Sequence, residues 1–425
     1  MPAAGTWLDA ATITALATML PVLGAAALWF AVPDIARRAS AVPALLWNLI
    51  GLTAVNVLAV QVGWWSFGTT GGGWFGVPAD LIIGWAVLWS LIPVLAGRWI
   101  APRYAVVGLI LLDIYLMPVL DPAVRLSPHW WWGEVVAVIT CLLPGVLLGE
   151  LTARRRRLRL RVCLQVVLFT AILLVAIPAV AATMSGRSAE AVLDQVGGPF
   201  DLALMQVAGV VALVAVAAVV EFARHGGTPY PWDPPDRLVT SGPYAYVRNP
   251  MQLCGTLLLV LLAVITGLPL LAGAALIAAA FSSGIAAYVE NDSLATRFGG
   301  DWADYRRAVR PWWPRRHPVT YGEPARVHLA RGCDPCSELT AWIVERSPVG
   351  LEVLPAEDHQ DELRRMRYQS PTVVVDGVRA FGLMLTHLNL AWALAGWVIA
   401  TPGISHVLQV LVDVSGGAPR DIAQD

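Results

Sequence analysis

The stretch Met251-Gln252-Leu253-Cys254-Gly255-Thr256-Leu257-Leu258-Leu259-Val260-Leu261-Leu262-Ala263-Val264-Ile265-Thr266-Gly267-Leu268-Pro269-Leu270-Leu271 decides the fold. It opens an apolar run that reaches Val289 without a charged residue. Glycine closely followed by proline is a turn signal, so the run predicts two helices folded into a tight hairpin, with both ends on one face of a bilayer. Working outward, further apolar runs occupy 11–32, 42–62, 80–95, 104–120, 132–148, 162–182 and 202–220. At about 1.5 Å per residue, such runs are long enough to cross roughly 30 Å of hydrocarbon. The composition agrees. The 425 residues are 57% hydrophobic and only 14% charged, with a mean hydropathy of +0.63, against about 25% charged in soluble domains. The expected fold is mostly α, a polytopic bundle of about nine spans. The first run lacks a basic leader segment and is long enough to span, so a cleaved signal peptide is not expected.

Orientation follows the arginines, which supply all 29 basic residues. Arg37, Arg38, Arg98, Arg103 and the block 154–161 fall in alternate loops, while the intervening loops hold Trp64, Trp65, Trp74 and Trp130-Trp131-Trp132. Basic loops stay cytoplasmic and interfacial tryptophans mark headgroup depth. The expected protein is thus a multi-pass cell-membrane protein with its N-terminus outside and everything after Val289 in the cytoplasm. Its environment is the lipid bilayer, and no nucleic-acid partner is expected. Asp113, inside a span, is either a functional carboxylate or a hydrogen-bonded structural one.

Three regions are expected: a multi-span region 1–200, a membrane domain 201–316, and a small cytoplasmic α/β domain 317–425, joined through a linker at 317–324. In the second, His225-Gly226-Gly227-Thr228-Pro229-Tyr230-Pro231-Trp232-Asp233-Pro234-Pro235 is too rich in proline and glycine for a helix. It is followed by Arg237-Leu238-Val239-Thr240-Ser241-Gly242-Pro243-Tyr244-Ala245-Tyr246-Val247-Arg248-Asn249-Pro250-Met251-Gln252. Beyond the hairpin come Glu290-Asn291-Asp292-Ser293-Leu294, Arg297-Phe298-Gly299 and Trp302-Ala303-Asp304-Tyr305. The hairpin returns Tyr244, Asn249 and Gln252 to the mouth that holds Glu290. A carboxylate there accepts from ribose hydroxyls, and aromatic rings stack an adenine or attract a sulfonium. The alternative is an interfacial anchor of aromatics and arginines. His225 reads either as a base or as a structural loop histidine.

These paired motifs resemble the isoprenylcysteine carboxyl methyltransferase family and the related phospholipid N-methyltransferases, over about 221–314. The resemblance implies S-adenosylmethionine as cofactor, bound on the cytosolic side by Leu238, Val239, Tyr244, Asn249, Pro250, Gln252 and Glu290. Arg248 belongs to the same motif, as a catalytic residue, as a support of the fold, or as a holder of phosphate or carboxylate. The implied acceptor is lipophilic or bears a thiol, carboxyl or amine, a small thiol among them. Three positions depart from the family: Asn249 and Gln252 stand where its Arg-His-Pro-x-Tyr motif has histidine and tyrosine, and Ala286 stands where the eukaryotic enzymes have a substrate-contacting arginine.

In the third region, Cys333-Asp334-Pro335-Cys336 follows a strand over 326–332 and opens a helix. Further strands are expected at 351–354 and 372–375, with a helix over 360–367 between them. A cysteine at a helix N-terminus has its thiolate stabilised by the macrodipole. Cys141, Cys163 and Cys254 sit in or beside apolar segments and read as small hydrophobes. No metal is expected, because C-x-x-C without a second ligand pair is a weak zinc signal. The region is similar to DCC-type thiol-disulfide oxidoreductase-like proteins, over about 323–413. That resemblance implies a thioredoxin-like domain, redox-active Cys333 and Cys336, a cis-proline at Pro371 facing them, and a cytoplasmic thiol reductant. It also favours 383–400 as a packed or interfacial helix over a tenth span. Two readings follow: a membrane methyltransferase with an attached dithiol domain, or a membrane-tethered thiol-disulfide oxidoreductase whose methyltransferase-like hairpin is an anchor.

Overall fold

The computed structural model describes residues 9–68, 73–332 and 334–417, apart from the side chains of Trp74, Ala189, Ile285, Ala286, Val289 and Glu290. It divides into two compact units, Met1–Thr183 and Met184–Asp425.

The first unit begins with α1 (Ala10–Ala31) and α2 (Ile35–Val62). Asp9 caps the first by accepting from the Thr12 amide at 2.9 Å, and Asp34 caps the second through the Ala36 amide at 2.9 Å; each satisfies an amide that a helix start leaves open. A short antiparallel ribbon follows, in which β1 (Trp65–Phe67) pairs with a later strand, and β2 (Gly73–Trp74) pairs with β3 (Val77–Pro78). Then come α3 (Ala79–Trp89), α4 (Leu91–Ala96) and α5 (Pro102–Leu116), the strand β4 (Val124–Leu126) that pairs with β1, and α6 (Trp130–Ala137), α7 (Leu143–Ala153), α8 (Leu158–Ala171) and α9 (Ile177–Met184). Single π-turns join α6 to α7 and α8 to α9, giving two continuous spans. Close packing of α1 on α3 depends on Gly84, where a Cβ would stand 2.5 Å from the Ala17 carbonyl oxygen.

Several buried polar groups of this unit are paired across helices. Arg37 donates to the Val94 carbonyl and to Glu150, both at 2.8 Å, and Glu150 also pairs with Arg154 at 2.9 Å. Those contacts lock α2, α4 and α7 together beside the arginine-rich loop. Asp113 is buried and accepts from the Trp85 indole at 3.1 Å.

The second unit holds α10 (Ala189–Leu193), α11 (Pro199–Arg224), α12 (Pro250–Thr266), α13 (Pro269–Phe281) and α14 (Ala287–Ala308). The hairpin turns where the sequence placed it: α12 ends at Thr266, Gly267 takes φ +63°, and α13 starts at Pro269. Seven helices among the described residues are long and apolar enough to cross a membrane, and the two hairpin helices are shorter apolar segments. The chain is mostly helical and built for a bilayer.

The C-terminal part corrects several expectations. It forms a four-stranded mixed sheet in the order β6-β5-β7-β8, from β5 (Ala325–Leu329), β6 (Leu351–Pro355), β7 (Arg367–Ser370) and β8 (Val373–Asp376). One helix, α15 (Asp334–Glu345), connects β5 to its parallel neighbour β6. The helix expected over 360–367 does not form, so the complete thioredoxin-like domain is not what folds here. Local side-chain bonds compete with it: Glu357 accepts from the Arg331 amide at 2.7 Å, Asp358 pairs with Arg331 at 3.0 Å, and His359 Nδ1 accepts from the Asp361 amide at 3.0 Å. Arg367 is instead held in the sheet by Asp376 at 2.7 Å. Pro371 lies in the β7–β8 turn, and its peptide bond is not cis; among the described residues only Asp121–Pro122 is. The helix expected over 383–400 is two, α16 (Gly377–Leu385) and α17 (Leu390–Ala400), because Asn389 stops the chain and caps α17 through the Ala391 amide at 3.1 Å. The last helix, α18 (Ile404–Val412), leaves α17 through a bend of 87°.

Candidate functional site

The site is built where α11 ends. Glu221, buried on its last turn, takes Arg224 at 2.7 Å and the Ser241 hydroxyl, so that the helix end is tied to the loop twenty residues on. His225 donates from Nδ1 to the Glu221 carbonyl at 2.9 Å, which fixes its ring on the helix end. Between them the proline-rich loop is ordered by its own bonds. The Thr228 hydroxyl donates to Asp233 at 2.9 Å, and the Tyr230 and Trp232 rings pack at 5.3 Å.

Gly242 then takes φ +59°, and a Cβ there would stand 3.1 Å from the Glu221 side chain. A 3-10 turn, Gly242–Ala245, follows and presents Tyr244. The Tyr305 hydroxyl on α14 donates to the Tyr244 carbonyl at 3.0 Å. Backbone amides of Arg248 and Asn249 donate to the carbonyls of Arg310 and Pro311 at 2.9 and 3.3 Å, closing the motif from its far side. The Arg248 guanidinium lies 5.8 Å from the Trp302 ring centre.

A cavity of about 270 Å³ opens among these elements. Leu238, Val239, Tyr244, Arg248, Asn249 and Gln252 line it, six of the residues singled out from the sequence. Pro250 is buried as the first residue of α12 but does not line it. Glu290 belongs to the first turn of α14, one turn before the lining residues Ser293 and Leu294; its side chain lies outside the described residues. Sequence reasoning did not assign Phe222, Tyr230, Trp232, Met251, Trp302 and Tyr305 to the lining. The available signal was aromatic density in a loop too rich in proline to be helical. The Trp302 indole N–H is shielded from solvent and has no acceptor among the described residues, which leaves a donor at the cavity wall.

Residues 201–301 match the family model for phospholipid methyltransferase. No curated protein and no solved structure matches the chain. The phospholipid-methyltransferase-like segment runs from α11 into α14, and all but two of the lining residues fall inside it. The match supports a membrane methyltransferase.

The remaining candidates lie elsewhere in the second unit. Cys336 is half-buried on the first turn of α15, and Cys333 lies outside the described residues. Pro371 lines a second, larger cavity and not the one beside Tyr244.

Proposed function

We propose that the chain is an integral-membrane methyltransferase that uses S-adenosylmethionine and methylates a lipophilic acceptor bearing a thiol, carboxyl or amine. The observation that carries this reading is the cavity of about 270 Å³, whose walls come from both halves of the paired motif, on either side of the hairpin. Its lining suits the cofactor. Tyr244 and Trp302 offer π-faces that attract a sulfonium, and Asn249 and Gln252 offer amide donors and acceptors. The unpartnered Trp302 N–H adds one more donor. The family resemblance gives Glu290 the ribose or amino group of the cofactor, and gives Arg248 a carboxylate.

When bound, the cofactor supplies an activated methyl group, so little acid–base chemistry is asked of the protein. The work of the chain is to hold acceptor and donor in line and to exclude water. The ordered loop 225–236 and the aromatic walls serve the second purpose. The distribution of arginines supports a cytoplasmic mouth, with the N-terminus outside.

The direct test is incubation of the protein in nanodiscs with labelled S-adenosylmethionine and a membrane extract, followed by identification of the labelled product. S-Adenosylhomocysteine should bind the wild type and bind Glu290→Ala and Tyr244→Leu more weakly; no detectable binding to the wild type would sink the proposal. The second reading is a membrane-tethered oxidoreductase, in which Cys336 at the start of α15 would act with Cys333. It requires that Cys333→Ser abolish function while Glu290→Ala leaves it intact.

A further inference from the structure

The larger cavity of the second unit measures about 530 Å³ and takes most of its lining from residues 318–402, beyond the matched segment. Val216 and Val220 of α11, with Leu383, Trp397 and Ala400, give it an apolar wall. Part of that wall belongs to α11, a candidate span, against which α17 packs. Among the charged lining residues arginine predominates: Arg224, Arg237 and Arg379 stand against the carboxylates of Glu221 and Glu323.

These charges do not cancel inside the cavity. Glu221 is already committed to Arg224 and to the Ser241 hydroxyl, and Glu323 is exposed. The Arg379 Nε–H is shielded from solvent and donates to nothing among the described residues. Burial, and then the positive charge of Arg224, hold the Arg379 guanidinium below its ordinary range, as befits a cation without a counter-ion. Tyr368 gives no compensation: its hydroxyl donates to His387 Nε2 at 2.9 Å, and burial keeps it protonated. A guanidinium fork beside an apolar wall is suited to an oxyanion carried on a hydrocarbon chain.

We propose that this cavity binds an amphiphile whose phosphate or carboxylate head is held by Arg379 and whose chain lies along the α11–α17 wall. Arg379 thereby selects the ligand from outside the methyltransferase-like segment. Identification of that ligand as the methyl acceptor rests on the function proposed above; the binding itself does not.

Full-length protein in phosphatidylcholine nanodiscs would be titrated with tetradecyl phosphate, tetradecanoate, tetradecanol and inorganic phosphate, and separately with S-adenosylhomocysteine. Both amphiphilic anions should bind about tenfold or more tightly than the alcohol, the range for a charge-assisted hydrogen bond. Arg379→Gln should erase that preference, Arg379→Lys should keep most of it, and neither should change S-adenosylhomocysteine affinity. Equal binding of alcohol and anions, or a preference that survives Arg379→Gln, overturns the proposal. Inorganic phosphate binding as tightly as tetradecyl phosphate overturns the amphiphile and leaves a simple anion site. Anion preference without any S-adenosylhomocysteine binding upholds this site and overturns the methyltransferase reading alone.

Discussion

Replacing Tyr305 with phenylalanine isolates one bond that shapes the candidate cofactor cavity. The side chain is 1% exposed, and phenylalanine keeps its volume and its packing on Trp302, whose ring centre is 5.8 Å away. What is lost is the hydroxyl that donates to the Tyr244 carbonyl at 3.0 Å. Removing one partner of a buried hydrogen bond costs about 1–3 kcal/mol, because the other is left desolvated. The bond joins α14 to the 3-10 turn, so the loss falls on the local opening of that turn. An energy of this size multiplies the opening equilibrium by about 5 to 150. Hydrogen exchange of the protein in nanodiscs should show that acceleration at amides 244–253, with α12 beyond its first turn unchanged. S-Adenosylhomocysteine affinity should fall with it, by no more than the same factor. Unchanged exchange at 244–253 would refute the reasoning, and uniform acceleration across the second unit would show that the bond supports the whole fold instead.

Gly242→Ala should destabilise the second unit by about 1–2 kcal/mol, the cost of a left-handed conformation for a residue with a Cβ, here aggravated by contact with Glu221; chemical unfolding of purified variants reads it, and a neutral result would contradict the geometry. Glu150→Ala should cost the first unit about 3–5 kcal/mol, since it strands Arg37, whose side chain is 11% exposed; a loss below about 1 kcal/mol in mixed-micelle unfolding would show that water reaches that charge. Burial holds the His387 imidazole below its ordinary range, so below about pH 6.5 the unfolded chain takes up a proton that the folded one refuses. Stability contributed by the neutral ring should be complete above that pH and lost as the pH falls through it. Thermal unfolding between pH 7.5 and 5 should show the decline, and His387→Gln should flatten it.

The hairpin was legible because its turn is chemical: Gly267 reaches a left-handed φ and Pro269 starts a helix, and both properties belong to the residues themselves. The long spans were legible because apolar length is a local property, needing no knowledge of neighbours. Part of the cavity lining was legible for a different reason, since Leu238, Val239, Tyr244, Arg248, Asn249 and Gln252 fall in one contiguous motif. Trp302 and Tyr305 belong to the other half of the paired motif, fifty residues away, and the packing of α14 is what makes them part of the lining. Phe222, on the last turns of α11, was hidden among apolar residues of a span; its ring lies 5.7 Å from that of Tyr244. The failed helix over 360–367 shows the opposite limit. Its last residue, Arg367, is held in the sheet by Asp376, and the residues just before the segment, Glu357 and Asp358, bond Arg331, partners that the segment's own sequence does not contain.

The fate of the C-terminal part follows from where the motif's own polar groups end. The Arg315 amide donates to the Tyr246 carbonyl at 2.9 Å, and the Val319 amide donates to the Ala245 carbonyl at 3.0 Å. The Tyr246 hydroxyl donates to the Thr386 carbonyl at 2.8 Å, and the Leu390 amide to the Arg316 carbonyl at 2.8 Å. The Trp397 ring stands edge-on to Tyr246 at 5.6 Å, within an apolar cluster that also holds Val214, Cys254 and Ala393. Tyr246 is 1% exposed, so without residues 317–400 its hydroxyl and ring would both lose their partners. Buried polar groups left in that condition cost about 1–3 kcal/mol each, and they lie two residues from Tyr244 and Arg248 in the cavity lining. The C-terminal segment therefore shapes the candidate cofactor cavity through its packing, independently of any chemistry at Cys333 and Cys336.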